Sequence, residues 1–145
     1  MKDYNWERYS FLWSEARLII GSIALLIGGV PPVLFILPFS ATASIVSFFL
    51  RLAWIISGVA SAYLLMRWYK EGMVVFRKKD WLDILALFVS IVSGLNLGFT
   101  GLFGENPGMT INSSYPIFLL TAVIYVATAV YLYKRWNEHS QKLFR

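Results

Sequence analysis

Apolar residues fill most of this chain in four blocks, separated by charged or glycine-rich stretches. The first block runs from about Leu18 to Phe39 and the second from about Ser44 to Met66. The third covers about Trp81 to Phe103 and the fourth about Pro116 to Tyr133. A helix needs about 20 apolar residues to cross a hydrocarbon core of about 30 Å. Each block reaches that length with few or no charges. The pattern therefore predicts an all-α membrane protein: a single transmembrane domain over the 145 residues, built as a bundle of four spanning helices (18–39, 44–66, 81–103, 116–133).

Two features modify the first block. Upstream of it, Trp6, Tyr9, Trp13 and Ala16 recur at helical spacing, with Asp3, Glu7, Arg8, Glu15 and Arg17 mostly elsewhere on the wheel. That pattern fits a helix lying at the headgroup level, or equally an upstream extension of the first span. Within the block, Gly28-Gly29-Val30-Pro31-Pro32 predicts a distortion, because each proline removes a backbone donor and crowds the preceding turn. A kink is the expectation, and a broken helix lining a binding site the sharper alternative. Ala41-Thr42-Ala43 resembles a signal-peptidase site. The apolar run is too long for a signal core, however, and acids precede it, so the segment is expected to stay as a span.

Composition supports the bilayer. Hydrophobic residues make up 58% and charged residues 14%, against about 45–50% and about 25% in soluble proteins. The net charge of +5 sits at block ends, where topology needs it, so nucleic acid is not an expected partner. Lys2, Arg8 and Arg17 precede the first block. Arg67, Lys70, Arg77, Lys78 and Lys79 lie between the second and third, and Lys134, Arg135, Lys142 and Arg145 follow the fourth. Twelve of thirteen basic residues thus fall on one side, Arg51 being the exception. The positive-inside rule then predicts a multi-pass protein with both termini cytoplasmic, and Trp13, Trp68, Trp81 and Trp136 mark that side as an aromatic belt.

Chemistry is sparse. There are no cysteines and one histidine, His139, in the polar tail. Thiolate metal sites, bis-histidine haem and a Ser-His-Asp triad therefore lack their residues. No cofactor, metal or catalytic set is expected. Asp80 and Asp83 read as the N-cap and first turn of the third helix. Arg51 lies 15 residues before Met66, and Asn96 lies 15 after Trp81, which puts both at a depth of about 22 Å. With Glu105 in the following segment they form a candidate polar cluster, against the alternatives of a snorkelling anchor or an anion site at Arg51. Ser57, Ser90 and Tyr125 form a second layer at about 12–14 Å. This layer is expected to hydrogen-bond between helices, with Tyr125 pointing into the bundle.

Small residues recur every fourth position at Ala24 and Gly28, at Gly58 and Ala62, and at Ser90, Gly94 and Gly98. Such faces let helices approach closely, within the chain or between chains. Gly98 to Ser114 is rich in glycine, asparagine and serine and predicts a structured cap at the outer end. Its Asn112-Ser113-Ser114 acceptor pattern is of a kind that arises by chance. The leading expectation is a non-catalytic integral membrane subunit of a larger assembly, its partners being the lipid bilayer and other membrane subunits or itself. The alternative is a small oligomeric channel or transporter with Arg51 and Asn96 near the permeation path. A lipid-modifying enzyme using Asp83 or Glu105 ranks last, since no base–nucleophile pair is visible.

Overall fold

The computed structural model describes residues 2–36 and 43–144. Every regular element described is helical: α1 (Lys2–Leu26), α2 (Val33–Ile36), α3 (Ala43–Lys70), α4 (Trp81–Phe103), α5 (Pro107–Ile111) and α6 (Tyr115–Glu138). Among the described residues, α1, α3, α4 and α6 are long and apolar enough to cross a membrane. The end of the first predicted span and most of the Ala41–Ala43 triplet fall at 37–42, outside the described residues.

The first helix departs from the predicted 18–39 span. It begins at Lys2 and ends at Leu26, so the upstream aromatic stripe and the first span are one continuous element. The helix stops because Gly28 and Gly29 both take positive φ, at 88° and 83°. Their N–H groups turn back onto Leu25 O and Ala24 O, closing the last turn as a left-handed cap does. Pro31 and Pro32 cannot resume the ladder. The distortion is thus a full stop rather than a kink, and α2 follows as a separate turn.

The other ends follow local chemistry. Asp80 caps α4, its carboxylate accepting the Leu82 N–H at 2.9 Å. Gly104, at φ 81°, closes the far end by donating to Thr100 O. Pro116 stands in the first turn of α6, where its missing donor would have no partner in any case.

The four long helices alternate in direction. α1 packs on α3 and α6, and α4 packs on both as well, closing a ring. The α3–α4 contact is the tightest. A methyl group on Gly58 would come within 2.7 Å of Gly98 Cα, and the reverse holds for Gly98. Gly94 and Gly98 therefore face α3 inside the chain. Gly28 and Ala62 are exposed instead. Outward-facing side chains are apolar, Val59, Phe48, Val92, Val123 and Val130 each being more than 60% exposed.

One end of the bundle gathers the start of α1, the 71–80 connection and the C-terminal tail. Phe11, Leu64, Val75, Phe76, Leu132, Trp136, Leu143 and Phe144 form a buried cluster there. The tail is turned inward by Ser140 and Gln141, both at positive φ, and Leu143 and Phe144 are wholly buried. Phe76 N–H donates to Leu143 O at 2.7 Å. Glu7 accepts the Leu143 and Phe144 N–H groups on one oxygen and Arg67 on the other. One carboxylate near the start of the chain thus fastens its last described residues.

Candidate functional site

Arg17 is the polar centre of the bundle. Its position just before the first apolar block suggested a flanking charge, but α1 runs through it and the side chain is 8% exposed. Its Nη1 donates to Ser61 Oγ at 3.1 Å. Its Nη2 donates to Ser90 O at 2.6 Å and approaches Ser90 Oγ at 3.2 Å. Ser61 and Ser90 each lie nine residues from the ends of their helices, Lys70 and Trp81. At 1.5 Å per residue the guanidinium sits about 13–14 Å inside the helix ends. The glycine at 94 makes the seat, since a β-carbon there would overlap Arg17 Nη1 and Ser61 Oγ.

The polar contacts continue around this point. Ser93 donates to Ser90 O at 3.0 Å. The Tyr125 ring lies 3.7 Å from where a Gly21 β-carbon would stand, so it closes against α1. Trp13 Nε1 donates to Ser57 Oγ at 2.9 Å, and the Ser57 hydroxyl donates to Ala53 O at 2.8 Å. Ser22 donates to Ala122 O across the α1–α6 contact. Two residues of the expected polar layer therefore meet partners on other helices, Ser90 with Arg17 and Ser57 with Trp13, while the Tyr125 ring packs against α1. Depth along each helix brought them forward. What sequence reasoning missed was the arginine between them. The signal available was the opposed pairs Ser57/Ser61 on α3 and Ser90/Ser93 on α4, a hydroxyl-lined notch with acceptor oxygens to spare.

A second buried charge lies toward the tail end. Asp83 is fully buried, more than a first-turn acid. Arg135 meets it with two near-parallel bonds, Nε to Oδ1 at 2.9 Å and Nη2 to Oδ2 at 2.7 Å. Tyr131 adds a donor to Oδ1 at 2.8 Å. Such forked pairing is the strong form of the arginine–carboxylate contact. The Arg135 guanidinium also stands 5.5 Å over the Phe76 ring, tying α4, α6 and the 71–80 connection together.

The predicted cluster of Arg51, Asn96 and Glu105 is not assembled. Arg51 is exposed and donates from Nε to Gly101 O at 2.6 Å and from Nη2 to Leu102 O at 3.0 Å. These carbonyls belong to the last turn of α4, which has no intrahelical donors to offer them. Arg51 is thus a cap across helices, a cation at a negative helix end. Asn96 faces the connection between α4 and α6 instead. It donates to Asn106 Oδ1 and accepts the Gly108 N–H, both at 2.8 Å, and so pins α5. Glu105 is exposed. The misjudgement has a physical cause: equal depth on neighbouring helices does not fix which way each side chain points.

The arrangement holds a cation among neutral dipoles. Serine hydroxyls surround it, and Glu15, buried two residues away on α1, keeps one carboxylate oxygen without a hydrogen-bond partner. Among the described residues no group of three or more histidine, aspartate or glutamate side chains could hold a metal. Comparison with known protein families, characterised proteins and solved structures finds no match.

Proposed function

We propose that this chain is a non-catalytic integral membrane subunit of a larger membrane assembly, with both termini on the cytoplasmic side. One observation supports it above the rest: among the described residues, three of the four buried charged side chains are engaged within the chain, Glu15 being the exception. Arg17 is held by Ser61 and Ser90, Asp83 by Arg135 and Tyr131, and Glu7 by Arg67 and the tail amides. An interior locked in this way favours a rigid scaffold over a reacting centre. The apolar perimeter offers lipid or partner helices a long surface. The internal use of the α3–α4 glycines removes that face from self-association and leaves the outer faces of the helices for partners.

Purification from native membranes in mild detergent tests the proposal. Stoichiometric foreign subunits are the expected result. A lone homo-oligomer that moves a solute across liposomes overturns it in favour of a small channel or transporter. The polar contacts of Trp13 with Ser57 and of Arg17 with Ser61 and Ser90 favour that second reading, and they shift its path from Arg51 and Asn96 to the bundle centre.

A further inference from the structure

Three polar atoms close together in the α1 sequence are buried without a hydrogen-bond partner in the chain: Ser14 Oγ, Glu15 Oε1 and Arg17 Nε. Buried polar atoms are nearly always bonded, to protein or to ordered water. Ser14 and Arg17 stand three residues apart on a helix, so their side chains leave the same face with β-carbons about 5–6 Å apart. Helical side chains lean toward the N-terminus, which carries the Arg17 stem back over Ser14. Two hydrogen bonds of about 2.9 Å laid end to end span a similar distance. The two Arg17 Nη atoms are engaged by Ser61 and Ser90, and the Nε–H is left to donate. A serine hydroxyl both donates and accepts. Glu15, two residues from Arg17, is buried within electrostatic reach of the guanidinium, and its free oxygen is a further acceptor at this level of α1.

We propose that a water molecule is bound inside the bundle between Arg17 Nε–H and the Ser14 hydroxyl. The water accepts from the guanidinium and exchanges a second hydrogen bond with the serine. It meets the lower limit of two polar partners for a buried water. The site goes beyond the subunit reading, because it makes the bundle centre hydrated at a depth where the perimeter is lipid. Through Arg17 the water joins the hydroxyls of Ser61 and Ser90.

Magnetisation transfer from water, measured by solid-state NMR on the full chain in bilayers of chain-deuterated lipid, tests this. Arginine side chains are labelled with nitrogen-15, and the Arg17 Nε signal is identified by its loss in Arg17→Lys. The expected result is transfer from water to Arg17 Nε–H several-fold faster than to the backbone N–H groups of Leu18 and Ile91, both essentially fully buried. Ser14→Ala abolishes the fast transfer and Ser14→Thr keeps it. Transfer no faster than at Leu18 overturns the proposal on the native protein alone. Fast transfer unchanged in Ser14→Ala overturns the role of the serine and with it the site.

Discussion

A guanidinium among apolar helices persists only where its donors are met, and here a missing side chain matters as much as those present. Gly94 leaves the space that Arg17 occupies beside Ser61. Gly94→Ala forces the guanidinium off its partners, and overpacking of this kind costs about 1–3 kcal/mol. The loss is read as a lowered midpoint in denaturant unfolding in detergent micelles. Arg17→Lys keeps the charge but surrenders the fork that spans Ser61 and Ser90. It is expected to destabilise less than Arg17→Ala, which strands both serines; interhelical hydrogen bonds in membranes average about 0.6 kcal/mol each. The order Ala worse than Lys is the outcome to check in the same unfolding series. At this scale the sequence was partly legible. Counting residues from the helix ends located Ser57, Ser90 and Tyr125, because depth follows from rise per residue. Arg17 was not legible, since a charge beside an apolar block reads as a flank until the helix is known to start fifteen residues earlier.

Elements were more legible than side chains. α3, α4 and α6 fall close to the apolar blocks, since a long uncharged run has few alternatives to a spanning helix. α1 slipped toward the N-terminus for two opposing reasons. Its polar residues Glu7, Ser14 and Arg17 turn inward and so lengthen the helix past the apolar boundary. The Gly28-Gly29 stop then shortens it at the other end. Gly28 has open space around a would-be β-carbon, so its constraint is backbone alone. Gly28→Ala should cost about 1–2 kcal/mol, the penalty of a left-handed residue carrying a β-carbon, while Gly28→Asn should recover part of it. Gly29→Ala costs more, because its β-carbon would also meet Met109 and Phe118. Thermal unfolding monitored by circular dichroism separates the three variants. The tail forms another such unit. Phe144→Ala empties a fully buried site, and such truncations cost about 3–5 kcal/mol. Protease cleavage near Gln141 is the readout, expected to be resisted by the native chain and rapid in the variant.

At the scale of the molecule, the charge pattern and the fold point the same way. The basic residues of the 71–80 connection, the start of α1 and the end of α6 share one end of the bundle. Arg51 at the other end is occupied with α4 carbonyls. Moving Arg17 into the interior leaves this asymmetry intact, because the count still favours the tail end overwhelmingly. The account therefore rests on four crossings with that end inside the cell, from which the placement of Arg17 in the membrane and the two free ends both follow. Because the chain has no cysteine, single cysteines at the exposed positions Arg8, Lys79, Glu105 and Asn137 report on each face. Labelling with a membrane-impermeant thiol reagent is the direct measurement. In intact cells the account predicts reaction at Glu105→Cys alone, with Arg8→Cys, Lys79→Cys and Asn137→Cys reacting only after permeabilisation. Reaction of Arg8→Cys or Asn137→Cys in intact cells, or protection of Glu105→Cys until the membrane is opened, contradicts it.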